Sequence, residues 1–267
     1  MDNVINIPSL NAIKLVSMNL IINYNAPNFD ESLFENQIFD FQTKKSYSQK
    51  FQKNDPLYFQ FNANFAPISA KLIDCNNVSV QDATITIVTT ASLPPTYVAY
   101  GASFNLSIIP EGTYWIKLFV GDGASELIAI SEPIEVADLH DNTILLKYTN
   151  SENAKGVIFQ NNETFYFRVQ AALLEFQPGS DDVVAEDEPG NLVALSSTIF
   201  RTWKLYIGKG AGVPDWIADK IIRIFSCDKV LLNGKQYTKP EGSKLDRAGN
   251  INSALSGWKL DVRESQA

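Results

Sequence analysis

Histidine occurs once, cysteine twice and methionine twice in the 267 residues. A single histidine excludes metal sites built from several imidazoles. Cys75 and Cys227 are too few and too far apart for a disulfide scaffold, and read as two buried free thiols. No run approaches about 18 apolar residues, so neither a transmembrane helix nor membrane insertion is expected. Met1-Asp2-Asn3 carries no basic and no apolar segment of a secretory signal, which predicts a chain made in the cytoplasm without a signal peptide. The Asn-x-Ser/Thr triplets at Asn77, Asn105 and Asn162 are then chance matches. Charged residues are scarce at 19%, and the net charge is −8. Such a chain lacks the positive field that draws nucleic acid, and no direct nucleic-acid role is expected.

What is present is apolar and patterned. Hydrophobic residues reach 45% and aromatics 11%, which excludes an intrinsically disordered chain. The dominant period is two. Leu57, Phe59 and Phe61 alternate against Tyr58, Gln60 and Asn62. Tyr114, Ile116, Leu118 and Val120 alternate against Thr113, Trp115, Lys117 and Phe119. Ile85 and Ile87 share one face of 83–88, and Phe104, Leu106 and Ile108 one face of 103–109. These read as half-buried antiparallel strands. Gly121-Asp122-Gly123 marks a hairpin, and Pro110-Glu111-Gly112 a turn. Short strands between turn signals predict an immunoglobulin-like β-sandwich over residues 51–138. Residues 1–50 carry apolar runs at 13–16 and 20–22 and read as an N-terminal arm or added strands.

A boundary falls near 137–142, and a second β-rich unit covers 139–267. Its middle, 177–191, is acidic, contains Pro178-Gly179 and Pro189-Gly190, and reads as a loop. Strand pattern resumes at 202–207. One helix is expected at about 214–225: Pro214 suits a first turn, Asp215 the positive end of the dipole, and Ile217, Ile221, Ile224 and Phe225 form a stripe at helical spacing. Asn233-Gly234 between two short β runs signals a type I′ hairpin. The predicted fold is therefore mainly β, with two sandwich or barrel-like domains, the second holding one packed helix.

Candidate chemistry is thin. His140 lies at the domain boundary with no Gly-x-Ser-x-Gly elbow in the chain, and reads as a surface linker histidine. Asp181, Asp182, Glu186, Asp187 and Glu188 lack the spacing of a calcium loop and read as an exposed acidic loop. Gly208-Lys209-Gly210-Ala211-Gly212 places its lysine wrongly for a phosphate-binding loop and reads as a structural lead into the helix. Trp203, Trp216 and Trp258 suit packing better than an exposed sugar platform. No catalytic, cofactor-binding or metal residue is assigned, no cofactor is expected, and the chain reads as a non-enzyme.

A resemblance adds a direction. The stretches RTWKLYIG at 201–208, GVPDWIADK at 212–220, IFSCD at 224–228, NGKQYTKPEG at 233–242 and Gly257-Trp258 resemble proteins encoded among virion-structural genes of tailed phages and prophages of Bacteroidetes, including crAss-like phages. QKFQKNDPLYFQF, AKLIDCNN, EGTYWIKL and ISEPIEV in the first half resemble the same proteins, so the likeness spans most of the chain. It implies a structural subunit of a phage neck, tail or baseplate, or of a related contractile injection particle. It implies residence in the virion, a homo-oligomeric ring, and contacts with adjacent neck, tail or baseplate proteins. The alternative is a carbohydrate- or receptor-binding module on such a particle. A polysaccharide-degrading enzyme would need a deep cleft with two facing carboxylates.

Overall fold

The computed structural model describes residues 5–17, 39–40, 45–64, 66–88, 97–121, 126–154, 157–159, 163–186, 188–248 and 253–265. The protein is mainly β, with one α-helix among the described residues. Two hydrophobic clusters organise it.

The first cluster lies between two sheets. One sheet places strand Leu57–Ala63 between Ile5–Asn6 and Val98–Phe104, with Thr84–Ile87 at its edge. The other pairs Gly112–Val120 with Ile68–Ile73 on one side and Leu127–Ser131 on the other, and Leu15–Ser17 extends it. The alternating residues meet here: Leu57, Phe59 and Phe61 from one sheet, Ile116, Leu118 and Val120 from the other, all buried. The alternation is imperfect at two places. Ile87 is 65% exposed, at the edge of its sheet. The 103–109 run is not one strand: Val98–Phe104 ends and a 3-10 turn, Leu106–Ile108, follows. Asn105 causes the switch, because its side-chain oxygen accepts the backbone N–H of Ser107 at 3.1 Å and caps the turn.

The second cluster fills a closed ring of six antiparallel strands. Thr143–Thr149 pairs with Lys229–Leu232, which pairs with Lys235–Thr238, then Gly257–Glu264, Leu192–Ile207 and Phe165–Glu186, which returns to Thr143–Thr149. Alternate residues of every strand point inward, among them Leu146, Phe167, Leu205, Val230, Tyr237 and Val262. Closure leaves no free edge in this ring and fills its interior with side chains. The Lys229–Leu232 and Lys235–Thr238 strands are joined by Asn233-Gly234 with φ of 48° and 88°, the left-handed pair a type I′ turn requires. The helix Asp215–Ile224 packs on the same cluster through Ile217, Ile221 and Ile224, each fully buried. Its lead-in depends on Gly208 and Gly212, at φ of 68° and 83°. A Cβ at either would stand 2.8 Å from a backbone atom.

The two clusters share a sheet. Gln49–Gln52 pairs in parallel with Ile134–Ala137 and touches Phe165–Glu186 at Lys50↔Arg168. Arg168 is buried there and donates twice to Asp55, at 2.6 and 2.8 Å. Residues 10–15 belong to both clusters: Leu10 to the second, Ala12, Ile13 and Leu15 to the first. Asn11 clamps the backbone of Gln60 from both sides, at 2.7 and 2.9 Å. The second apolar run, 20–22, lies outside the described residues.

The 177–191 segment corrects the loop expectation. Phe165–Glu186 runs straight through Pro178-Gly179, and Leu192–Ile207 begins ten residues before the sequence pattern resumes. Beyond Gln170 the first of these strands has a single partner, so half its N–H groups lie outside any ladder, and proline is tolerated on such an edge. Only Pro189-Gly190 belongs to the turn.

Candidate functional site

The residues singled out by sequence are scattered. His140 is not a surface residue: its side chain is 8% exposed, and Nε2 lies 3.2 Å from the Phe51 carbonyl and 3.1 Å from that of Glu135. Imidazole and carboxylate do meet, with Nδ1 at 3.9 Å from Glu135 Oε1. The hydroxyl of Ser48 donates to the other oxygen of Glu135 at 2.8 Å, and Lys50 pairs with that carboxylate and reaches Ser48 Oγ at 3.1 Å. The order is wrong for nucleophilic catalysis, because the carboxylate sits between serine and imidazole. Lys50 Nζ donates to both Glu135 and Ser48. Sequence reading missed this group, since Ser48 and Lys50 lie 87 and 85 residues from the Glu135 they meet.

Cys75 is exposed and Cys227 half-buried, contrary to the expectation of two buried thiols. Cys75 falls in a tight turn in which Asp74 accepts the N–H groups of Asn76, Asn77 and Val78, and this lifts it off the sheet. Asp181 pairs with Arg263 at 3.0 Å and Asp182 accepts from Ser180 at 2.8 Å. Among the described residues no group of three or more His, Cys, Asp or Glu gathers with metal-site geometry. Trp203, Trp216 and Trp258 are each half-buried. The Trp203 ring packs on Phe176 at 4.8 Å, and Arg247 covers Trp258 at 5.5 Å.

Trp216 belongs to a buried charged cluster. Glu132 is fully buried and accepts the Lys14 backbone N–H at 3.0 Å and Trp216 Nε1 at 3.2 Å. The Lys14 ammonium lies 4.1 Å above the Trp216 ring. Lys220, on the inner face of the helix, donates to the Ala12 carbonyl at 3.1 Å and lies 5.0 Å over Phe167. Burial pushes the Lys220 ammonium down to about 8, opposed by Glu132. Burial raises the Glu132 carboxyl, opposed chiefly by Lys220. A cavity of about 230 Å³ opens beside them, between Ile7–Leu15 and the helix. Every polar atom named here holds a backbone or ring partner, so the cluster fastens the N-terminal segment to the helix.

The feature that stands outside both cores is the ribbon made by the ends of Phe165–Glu186 and Leu192–Ile207. Their ladder continues to Glu186↔Leu192, well past the last pairing with a third strand at Arg201↔Glu264. The described residues of 180–199 are almost wholly exposed. They carry Val183, Val184, Leu192, Val193, Leu195 and Ile199, all 45% exposed or more. A bulge at the foot, between Leu174↔Lys204 and Gln177↔Thr202, holds Glu175 at φ 51°. Lys204 at 2.9 Å and the Tyr206 hydroxyl donate to its carboxylate. Bulges bend and twist a ribbon, so this one sets the angle at which it leaves the barrel. Beside the foot lies a polar groove of about 320 Å³ lined by Lys204, Lys244, Arg247 and Lys259 together with Asp246 and Asp261.

No family model, curated protein or solved structure matches the chain. Among the described residues no helix is long and apolar enough to cross a membrane.

Proposed function

We propose that this chain is a non-enzymatic structural subunit of a phage neck, tail or baseplate, resident in the virion, that assembles as a homo-oligomeric ring against adjacent rings. The resemblance in sequence supplies the particle. The observation that carries the assembly reading is the ribbon. An isolated two-stranded ribbon is marginal in water. Among the described residues this one has two open edges, and its faces expose apolar side chains. Such a surface is a hazard on a free monomer and an asset once a neighbour covers it. On this reading the first unit is an immunoglobulin-like sandwich, the second a barrel, and both serve as rigid supports for the contact.

The half-buried tryptophans form no exposed stacking face, which favours the subunit over a glycan-binding module. The test is direct. Particles from a producing culture, purified on a density gradient, should contain the chain at several copies per virion by quantitative mass spectrometry. The isolated protein should show mass increasing with concentration by light scattering. Absence from purified particles, or a strict monomer at every concentration with a single copy per virion, overturns the proposal.

A further inference from the structure

We infer that the acidic tip of the ribbon docks into the cationic groove at the foot of the ribbon on a second copy of this chain. The inference rests on the assembly reading above and names its contact.

The groove is unusual for this molecule. The chain as a whole is anionic, at −8, yet four cations and two carboxylates line this depression. Two of the cations are already engaged: Lys204 with Glu175 at 2.9 Å and Arg247 with Asp215 at 3.5 Å. Lys244 and Lys259 make no ion pair among the described residues, and Lys259 rests over the Tyr206 ring at 4.8 Å. A groove in which cations outnumber carboxylates four to two, and in which Lys244 and Lys259 make no ion pair among the described residues, is complementary to a carboxylate-bearing segment.

The tip is such a segment. Glu186 and Glu188 flank the turn, are exposed, and make no ion pair among the described residues. Leu192 and Val193 stand opposite Glu186 and Ala185 in the ladder and give the tip apolar contact area as well.

Geometry forbids closure within one molecule. Lys204 and Leu192 lie on one continuous strand. Twelve residues at ~3.3 Å each separate them by about 40 Å. Apart from the bulge at the foot and a second one between Val183↔Ser196 and Val184↔Ala194, the ribbon is paired along that length, and neither bulge reverses its direction, so its tip does not fold back to its own foot. A tip that fits a foot only on another copy joins two unlike patches; repeated head to tail, this heterologous contact forms a ring where the rotation between copies closes, whereas reciprocal exchange of tips would stop at a dimer. Because the two surfaces have opposite charge, the contact weakens with salt on the scale of a Debye length of about 10 Å at 0.1 M.

Charge exchange tests it. One variant carries Glu186→Lys and Glu188→Lys, a second carries Lys244→Glu and Lys259→Glu, and a third carries all four. Circular dichroism and melting confirm that each is folded. Sedimentation velocity at 50 mM and 500 mM salt then reads self-association. Each double variant should associate at least tenfold more weakly than the unaltered protein at low salt. The equimolar mixture of the two, and the fourfold variant alone, should recover association, since each again sets opposite charges against one another. Unaltered association in both double variants, or no recovery in the fourfold variant, overturns the docking contact while leaving the ring reading standing. A strict monomer in the unaltered protein, with single-copy occupancy in the virion, overturns the ring reading itself. Binding of a short DNA duplex to the groove, abolished by Lys244→Glu with Lys259→Glu in a protein whose ribbon variant still self-associates, assigns the groove to a polyanion and also overturns the proposal.

Discussion

Lys220 is the most consequential single residue, because a buried ammonium links the helix to the N-terminal segment. Its proton is held less tightly in the folded chain, at about 8 against an ordinary 10.5. Between those values the unfolded chain keeps a proton that the folded chain has released, so the folded state gains as pH rises through the window. The full window is worth up to about 3 kcal/mol. Glu132 works in the opposite sense at lower pH. Its carboxyl is raised, so the folded chain retains a proton the unfolded chain loses above 4.5, and that stabilisation fades as pH climbs through the raised value. Buried Tyr47 and Tyr148 also ionise late, but they do so in any variant at position 220. The difference in melting temperature between the unaltered protein and Lys220→Met should therefore widen in favour of the former from pH 8 to 10. A constant difference across that range would show that Lys220 is not desolvated. Nothing in the sequence pointed to this lysine beyond its place on the helix. Its partners, Ala12 and Glu132, are far away in the chain, and only packing brings the three together.

The elements that were legible are those whose signal is local. The helix was readable from Pro214, Asp215 and the isoleucine stripe, and it spans Asp215–Ile224. The Asn233-Gly234 turn was readable from two residues. The ribbon was not, because Pro178-Gly179 and a run of acids carry the composition of a loop, and pattern reading assumes that a strand has two partners and one buried face. A strand with one partner and no buried face obeys neither rule. The same features predict how the ribbon behaves on its own. The described residues of 180–199 contribute nothing to either core, and the one ion pair to the body among them, Asp181–Arg263, is exposed and worth at most about 1 kcal/mol. Replacing 180–199 by an Asn-Gly turn joins Gly179 to Phe200, already opposite one another in the ladder. The shortened protein should melt within a few degrees of the full chain and lose concentration-dependent association. A large drop in melting temperature would mean that the ribbon supports the fold; retained association would mean that assembly uses another surface.

At the scale of the whole molecule, the thirteen residues 5–17 reinforce the joint between the two clusters that the shared sheet already makes. Residues 5–17 were readable as apolar but not as central, because every partner is remote: Gln60 for Asn11, Tyr148 for Leu10, Lys220 for Ala12, and the Leu127–Ser131 strand for Leu15–Ser17. Leu10, Ala12 and Ile13 are exposed by 1% or less, and a segment so buried cannot be a free arm. Removing a buried leucine or isoleucine side chain costs about 2–5 kcal/mol each. A domain of this kind has about 5–15 kcal/mol to lose. Leu10→Ala alone should then destabilise the protein by about 2–5 kcal/mol in urea, with its loss felt in the barrel cluster to which Leu10 belongs. Deleting residues 1–17 should go further. It strips Leu10 from one cluster and Ala12, Ile13 and Leu15 from the other, opens the edge of the Leu127–Ser131 strand, and leaves Glu132 and Lys220 buried without the backbone groups that satisfy them. Near-ultraviolet circular dichroism reports the packing of Trp203, Trp216 and Trp258 against the second cluster, and amide exchange reports each strand separately. The expected outcome is loss of the near-ultraviolet signal together with faster exchange in both Gly112–Val120 and Phe165–Glu186. If exchange accelerates in the first strand while the foot of the second stays protected, the barrel folds without the segment, and the coupling argued from Leu10 and Lys220 is wrong.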